Sequence, residues 1–328
     1  MNYIDLHCDT ISELMKDEGV HLLDAPLQIN LKHLKEGNCL LQCFAMFVYL
    51  KKTPKPFEYC IQMIDRYYEE LNKYKEIIAP VLSYSDIAKN QKEGKLSSLL
   101  TIEEGGVTES NLANLRTFYR LGVRMICLNW NFENGVGHPN FTLSEHPDFK
   151  TPNTEEGLTE YGIQMVKEMN RLGIIVDVSH LSDKGFYDCL KYSSKPIVAS
   201  HSNARGVCNH VRNLTDEMIL KLKANGGVMG MNFCAAFLDE DEEEGRNTIS
   251  CLIKHMKYIK RLAGVDVIAL GSDFDGIDPN IRMENASFMP KLFEEMRHQG
   301  FTEDEIERIA YKNFLRVLAA NMPEIVEN

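Results

Sequence analysis

Five short motifs along the chain contain histidine and carboxylate residues of the types that bind metal ions and transfer protons. In chain order they are His7-Cys8-Asp9, Glu103-Glu104-Gly105-Gly106, Asp177-Val178-Ser179-His180, Ser200-His201-Ser202 and Gly271-Ser272-Asp273-Phe274-Asp275-Gly276. Imidazole and carboxylate ligands without a converging cysteine are typical of zinc sites, with manganese and iron as alternatives. Ligands of this kind predict a metal-assisted reaction in which a bound water is activated.

Each motif taken alone is a weak indication of function. A single histidine at a strand end is more often structural, an isolated His-x-Asp triplet is usually a surface feature, and Asp273 has an alternative role as a helix cap. These structural roles do not readily explain why all five motifs stand at the C-terminal ends of predicted strands.

The elements that must position these motifs alternate between strands and helices. Short apolar runs predict eight strands, at residues 3–9, 41–49, 98–104, 123–129, 174–180, 196–201, 227–232 and 267–273. Amphipathic segments between them predict helices, including residues 57–74, 111–121, 158–172, 216–224 and 248–262. Eight such repeats favour an α/β fold of the closed (β/α)8, TIM-like type over an open doubly wound sheet. No GxGxxG motif follows the first strand, which argues further against a dinucleotide-binding domain.

A (β/α)8 barrel would bring the five motifs together, because active sites of this fold lie at the C-terminal ends of the strands. His7 and Asp9 are two residues apart, so they can face one ion. His180 and His201 follow neighbouring strands, which lie about 5 Å apart, and can hold a second ion. A carboxylate from the third strand lies between the two pairs and can bridge both ions. The long segment 133–157 is predicted to be a lid or a wall of this pocket.

Length and charge restrict the classes of protein and partner. The 328 residues are compatible with a single barrel domain over residues 1–328, since no linker divides the chain. The formal net charge of −12 disfavours nucleic acid and anionic membrane surfaces as partners and favours a small molecule or peptide. The longest apolar stretch, residues 39–50, falls short of the roughly 20 residues that cross a bilayer. Nine cysteines without framework spacing, and an N-terminus without a signal-peptide pattern, lead us to expect a cytoplasmic protein.

In this order the motifs resemble those of the membrane (renal-type) dipeptidase family, the binuclear zinc dipeptidases of the amidohydrolase-like barrels. The resemblance extends from Asp5-Leu6-His7-Cys8-Asp9 to Asn313-Phe314-Leu315-Arg316-Val317. Between these ends it includes Glu104-Gly105-Gly106, Val176-Asp177-Val178-Ser179-His180, Ser200-His201-Ser202-Asn203-Ala204, Arg212-Asn213 and the motif around Asp273.

The resemblance implies a role for each matching residue and a cofactor of two Zn²⁺ per chain. His7 and Asp9 would bind one zinc ion, and His180 and His201 the other. Glu104 would bridge the ions as part of the catalytic site, with Glu103 pointing away. Asp273 would be the catalytic proton carrier, and Arg212 would bind the carboxylate of the substrate. The family further implies a homodimer.

Two positions depart from the residues that are usual in the animal members. Trp130 stands where those members have a histidine that steadies the tetrahedral intermediate, and Cys234 stands where they have a tyrosine near the substrate carboxylate. The Trp130 indole can donate one hydrogen bond but cannot titrate. Trp130 is therefore either a substrate-binding residue or an aromatic residue of the pocket wall.

The resulting expectation is a metal-dependent dipeptidase that uses a metal-bridging hydroxide and accepts small dipeptides, with D-residues at the second position left open. Another binuclear amidohydrolase, acting on N-acyl amino acids, cyclic amides or lactams, is the alternative within enzymes. A non-catalytic, metal-dependent peptide-binding protein is the alternative from a different class. The presence of Asp273 argues against the non-catalytic alternative, because a binding protein has little use for a proton carrier.

Overall fold

A computed structural model describes residues 1–143, 148–241, 243, 247–278 and 282–322. These residues contain nine β-strands in one parallel sheet. In chain order they are β1 (Tyr3–Asp5), β2 (Cys39–Phe47), β3 (Ile78–Pro80), β4 (Leu96–Glu103), β5 (Val123–Cys127), β6 (Ile175–Asp177), β7 (Val198–Ala199), β8 (Val228–Met231) and β9 (Ile268–Leu270).

The sheet closes on itself as a barrel. The strand order is β2-β1-β9-β8-β7-β6-β5-β4, and β2 also pairs with β4 along residues 41–47 to complete the circle. The short β3 pairs only with the first residues of β4 and stands outside the circle of eight. The predicted (β/α)8, TIM-like fold is confirmed, with β3 as an addition that the sequence pattern did not predict.

The α-helices of the described residues surround the barrel. In chain order they are α1 (Thr10–Leu14), α2 (Leu31–Glu36), α3 (Pro56–Lys73), α4 (Tyr84–Lys92), α5 (Leu112–Arg120), α6 (Glu160–Leu172), α7 (Asp183–Tyr192), α8 (Asp216–Asn225), α9 (Ala235–Leu238), α10 (Thr248–Ala263), α11 (Met289–His298), α12 (Glu303–Glu307) and α13 (Asn313–Asn321). The five predicted helices correspond to α3, α5, α6, α8 and α10. Gly173 ends α6 with a φ of +86°, a conformation in which glycine is favoured.

The buried apolar residues form two separate cores. One lies between the barrel and its helices, and the other contains residues from all eight barrel strands, such as Leu41, Leu99 and Val198. Phe314 and Leu318 of α13 belong to the inner core. Because strand side chains alternate between two faces, this core fills the interior of the barrel and leaves the C-terminal strand ends for polar residues.

The predicted strands extend beyond the observed ones at their C-terminal ends. The prediction ran to His180 and Asp273, whereas β6 ends at Asp177 and β9 ends at Leu270. His180 and Asp273 lie three residues beyond these strand ends, and both have a backbone conformation that is incompatible with a strand, with φ of +68° and +66°. Positive φ values outside glycine carry strain and are concentrated at functional sites.

None of the helices in the described part of the chain has the length and apolarity that a membrane crossing requires.

Candidate metal centre

The histidines and carboxylates of the predicted motifs meet at the C-terminal end of the barrel. They lie at the floor of a cavity of about 350 Å³, which Asp9, Glu103, His180 and Asp273 line. The side walls of the cavity are mainly apolar, with Phe47, Trp130, Phe237 and Ile277 among them. A small polar floor beneath apolar walls is typical of a site for a small ligand.

Glu103 lies at the middle of the polar cluster. Its Oε2 is 3.2 Å from His7 Nε2, and its Oε1 is 3.1 Å from His180 Nε2 and 3.6 Å from His201 Nε2. Among the described residues, Glu103 therefore belongs to two groups of potential metal ligands, His7–Asp9–Glu103 and Glu103–His180–His201. A third group joins His7, His201 and Asp273.

The expected positions of Glu103 and Glu104 are exchanged. We expected Glu104 between the histidines and Glu103 pointing away, but Glu103 faces the histidines. Alternation along β4 explains the difference: Leu99 packs inside the barrel and Leu100 and Ile102 pack outside it, so Glu103 continues the inner face. Glu104 instead accepts hydrogen bonds from the backbone N–H groups of Gly106 and Trp130 and from the side chain of Asn134.

The structure brings the two residues of the first predicted ligand pair together. His7 Nε2 lies 3.4 Å from Asp9 Oδ2, and Gly276 permits this approach, since a Cβ there would lie 2.2 Å from Asp9 Oδ2. Asp5 connects the β1 and β9 ends by accepting hydrogen bonds from Ser272 N (2.8 Å) and Ser272 Oγ (2.6 Å). These two hydrogen bonds hold the chain around His7 beside the chain around Asp273.

The second predicted pair is also together, and neighbouring residues orient both rings. Ser200 Oγ donates its single proton to Asp177, so it accepts from His201 Nδ1, which is 2.7 Å away. His180 Nδ1 donates to Asn131 Oδ1 at 2.7 Å. Both histidines therefore carry their proton on Nδ1 and present an Nε2 lone pair to the centre, which is the tautomer that binds metals through Nε2.

Burial determines the electrostatics of the cluster. Burial, with Arg212 and His7 nearby, lowers the pKa of His180 and of His201 well below the usual value, so both rings are neutral. Burial raises the pKa of Glu103 to about 7, with His7 opposing the shift and Asp9 and Asp273 adding to it. Burial alone would lower the pKa of His7, but the facing Glu103 and Asp9 carboxylates raise it well above its usual value.

The arrangement fits a divalent metal ion. The two Nε2 lone pairs of His180 and His201 face each other at 2.9 Å, and within the described residues His7 Nε2 and Asp9 Oδ1 are buried without a hydrogen-bond partner. Three carboxylates also share this small volume. A cation bound among these atoms would satisfy the lone pairs and compensate the charge.

Asp273 and Arg212 occupy different depths of the site. Asp273 lines the cavity, with Oδ1 at 3.8 Å from His7 Nε2 and Oδ2 accepting a hydrogen bond from Asn232 at 2.8 Å. Arg212 is 3% exposed and donates to the His201 carbonyl at 3.1 Å. The ring of Phe237, 5.3 Å from the Arg212 guanidinium carbon, stands at the cavity wall in front of it.

Trp130 forms part of an aromatic wall. Its ring centroid lies 5.0 Å from that of Phe47 and 5.3 Å from those of Tyr49 and Phe132. Cys234 also lines the cavity, and burial raises its thiol pKa to about 12, so the thiol is uncharged.

The loop predicted as a lid or wall, residues 133–157, contributes little to this cavity in its described parts. Trp130 and Asn131, which lie just before the loop, line the cavity instead. The described parts of the loop pack elsewhere: Pro139 pairs with Leu181, and Phe141 and Phe149 line a neighbouring cavity. Residues 144–147 of the loop lie outside the described residues.

Sequence reasoning missed the residues that orient the ligands. Asp177 and Ser200 stood in the predicted motifs without an assigned role, and Asn131 lay outside them. A polar residue next to a buried histidine was the available signal for Ser200. No comparable signal marked Asn131, because it reaches His180 across 49 residues of sequence.

The barrel and its cluster define the chain as a (β/α)8 protein with a buried cluster of potential metal ligands. Comparison with known proteins then gives the family: the sequence model of the family described as Membrane dipeptidase (Peptidase family M19) matches residues 1–324. The chain belongs to this family.

Individual relatives agree with the family assignment. A Klebsiella pneumoniae protein described as an uncharacterized protein in the pqqA 5′ region is 34% identical over 78% of this chain and 96% of its own. Dipeptidase tcpJ of Claviceps purpurea is 29% identical over 96% of this chain and 73% of its own.

Two solved structures share the fold over nearly the whole length. A metallopeptidase from Rhodobacter sphaeroides, bound to a phosphinate mimic of the dipeptide L-Ala-D-Ala, has a TM-score of 0.87 at 25% identity, covering 98% of this chain and 99% of its own. A structure described as dipeptidase AC, a metallopeptidase of family M19, has a TM-score of 0.88 at 26% identity with the same coverage.

Proposed function

We propose that this protein is a zinc dipeptidase in which Glu103 is shared between two metal ions. The observation that carries the proposal is the position of Glu103 between His7 and Asp9 on one side and His180 and His201 on the other, in a chain of the membrane dipeptidase family. His7, Asp9 and Glu103 would hold one ion, and Glu103, His180 and His201 the other. Nitrogen and oxygen donors without sulfur suit Zn²⁺.

Two bound cations would supply Lewis acidity, which lowers the pKa of water and polarises the peptide carbonyl. The residues of the chain provide orientation and proton transfer. Ser200 and Asn131 keep the His201 and His180 lone pairs directed at the centre. The apolar walls limit the access of bulk water, which strengthens the charge interactions at the floor.

Asp273 would move the proton of the reaction. Its carboxylate reaches the cavity, and its second oxygen is held by Asn232. Burial raises the pKa of Asp273 above its usual value, although His7 opposes the shift. A carboxylate with a raised pKa is suited to accept a proton from the attacking water and to deliver it to the leaving amine.

Arg212 would bind the free carboxylate of the dipeptide. Its guanidinium is buried at the edge of the metal cluster, and its Nε has no hydrogen-bond partner among the described residues. A guanidinium fork suits a carboxylate, and this contact would select short substrates with a terminal carboxylate close to the scissile bond. Phe237, whose ring lies 5.3 Å from the guanidinium carbon, would form the adjacent wall of this contact.

Further properties follow from the same reading. Because the Rhodobacter sphaeroides relative binds a mimic of L-Ala-D-Ala, we propose that a D-residue is accepted at the second position. We also propose that residues 1–328 form a single catalytic domain. The enzyme would be a homodimer and would be located in the cytoplasm. Trp130 would contact the substrate as part of the aromatic wall.

The test combines metal content with hydrolysis. Protein purified without chelator is analysed for metals, and a panel of L-X-L-Ala and L-X-D-Ala dipeptides is assayed on the same sample, with the C-terminal amides as matched controls. We expect two zinc ions per chain, cleavage of the dipeptides, and a much lower kcat/KM for the amides. One metal or none, with no cleavage after zinc addition, would contradict the proposal. Activity on N-acyl amino acids, cyclic amides or lactams alone would select the alternative enzyme class.

A further inference from the structure

Glu104 is a buried carboxylate that the metal cluster does not use. It has no exposed surface, yet both of its oxygens have partners. Oε1 accepts from Gly106 N at 2.7 Å and from the Asn134 side chain, and Oε2 accepts from Trp130 N at 3.1 Å. Each of these partners is an N–H donor, so the site is suited to a carboxylate. None of the groups of potential metal ligands among the described residues includes Glu104.

The backbone at Glu104 is strained. Its φ is +110° and its ψ is 85°, in a region where glycine is the favoured residue. A side chain at this position carries a conformational cost that a glycine would avoid. The hydrogen bonds that the carboxylate accepts therefore offset this cost, and the donors identify the part of the chain that it stabilises.

Two of the three donors belong to the segment that follows β5. Asn134 also donates to Leu128 O at 3.0 Å, and its Oδ1 accepts from Val136 N at 2.8 Å and Gly137 N at 3.0 Å. Residues 128–137 thus fold around the Asn134 side chain. Glu104 attaches this folded segment to the end of β4, the strand that carries Glu103.

The same segment supplies two elements of the site. Trp130 stands in the cavity wall beside Phe47, and Asn131 accepts the hydrogen bond that orients His180. Glu104 accepts a hydrogen bond from the Trp130 backbone, so it contacts the chain at the point from which both side chains extend.

We propose that Glu104 is a positioning residue: it holds residues 128–137 against the end of β4 so that Trp130 forms the cavity wall and Asn131 orients His180. This role rests on the proposed function, because it takes His180 as a metal ligand and Trp130 as a contact for the dipeptide. It differs from the bridging role that we expected from the sequence. Glu104 acts through other residues and does not touch the substrate.

Two substitutions separate the carboxylate from the backbone. In Glu104→Gln the amide places an N–H group against at least one of the three donors, whichever way it is turned. In Glu104→Gly the carboxylate is lost, but the strained φ becomes favourable, and this relief partly offsets the loss of the hydrogen bonds, so this variant is expected to fold. Glu109→Gln, at an exposed glutamate five residues further on, is the matched control.

The readout uses the only tryptophan of the chain, Trp130, whose fluorescence reports on this wall alone. In both Glu104 variants we expect a red-shifted emission with stronger quenching by acrylamide. We also expect about 10-fold weaker affinity for Zn²⁺ in titrations of the metal-free protein, as is typical when a residue that orients a ligand is lost. The KM for dipeptides should rise several-fold, while Glu109→Gln should match the parent in every measurement.

Glu104→Gly that folds normally and keeps the parental Trp130 emission, Zn²⁺ affinity and KM would overturn the proposal. The outcome stays separate from a failure of the proposed function, because emission and metal binding are measured without a substrate. If the parent protein hydrolyses no dipeptide, the fluorescence and titration results still decide the role of Glu104.

Discussion

The Nε2 atoms of His180 and His201 lie 2.9 Å apart, and both carry a lone pair. The Nδ1 hydrogen bonds to Asn131 and Ser200 impose this tautomer on each ring, and burial lowers the pKa of both, so a proton between them is disfavoured. A metal ion that binds both nitrogens removes their repulsion. Metal binding should therefore stabilise the folded protein as well as activate it.

Metal removal is predicted to lower the stability measurably. A ligand that binds only the folded state adds about 2.7 kcal/mol at a concentration 100 times its Kd. We expect chelator-treated protein to unfold at a lower temperature and added Zn²⁺ to restore the parental value, as measured by calorimetry. Mg²⁺ at the same concentration is the control, because it binds poorly to imidazole ligands. An unchanged unfolding temperature after verified removal would contradict a metal at this cluster.

Glu103→Ala is predicted to abolish activity and to lower the metal content even when zinc is in excess. The reason is that Glu103 belongs to both ligand groups, so its removal weakens both sites. Elemental analysis after dialysis and a dipeptide assay measure the two effects. Glu104→Gln is the informative comparison, because it should bind zinc more weakly yet fill both sites at saturation. Full metal content in Glu103→Ala would show that Glu103 is not the shared ligand and that another carboxylate has this role.

Ser200→Ala is predicted to weaken zinc binding by about 10- to 100-fold with little change in the fold. Ser200 links the Asp177 carboxylate to His201 Nδ1, and its loss leaves the ring without its orienting acceptor. A competition titration against a zinc chelator measures the affinity. Ser250→Ala, on the exposed face of α10, is the control. Equal affinity in the two variants would show that His201 needs no such support.

Asp273→Asn is predicted to keep its metal ions and to lose turnover by about 10²- to 10⁴-fold, the usual contribution of a proton-transferring residue. The asparagine is close in shape, so the cavity should be preserved while the proton acceptor is lost. Single-turnover kinetics, together with metal analysis of the same sample, separate the two effects. A variant with parental kcat would exclude Asp273 from the proton transfer.

His255 is predicted to make the fold sensitive to acid. Burial lowers the pKa of His255 to about 4, although its hydrogen bond to Leu238 O opposes the shift, and the neutral ring also accepts a hydrogen bond from Ala204 N. The unfolded chain binds a proton near pH 6.5 while the folded chain does not, so the free energy of unfolding falls as pH falls from about 6.5 to about 4. A shift of this size corresponds to about 3 kcal/mol.

Urea unfolding at pH 7 and at pH 4.5 tests the His255 prediction. His255→Gln should lose stability at pH 7 but should show a smaller drop between the two pH values than the parent. His298→Gln, at an exposed histidine, should show the parental drop. An identical pH dependence in all three proteins would mean that His255 is not protonated on unfolding in this range.

The sequence by itself determined the barrel and the set of residues at its active end. Strand and helix periodicity are local properties, and a (β/α)8 barrel places every strand end on one face, so His7, Asp9, His180, His201 and Asp273 could be assigned to one cluster without coordinates. The resemblance to the membrane dipeptidase family added order and spacing, and the family match confirmed it.

Tertiary structure alone decided how neighbouring residues divide their roles. Glu103 and Glu104 are chemically identical and adjacent. Glu103 ends β4 on its inner face and meets the histidines, whereas Glu104 follows the strand with a positive φ and accepts a hydrogen bond from the segment after β5. Asn131 and Phe237 likewise act across long sequence separations, on His180 and in front of Arg212. Contacts of this kind depend on which segments the closed barrel brings side by side. Local sequence patterns do not predict which segments these are.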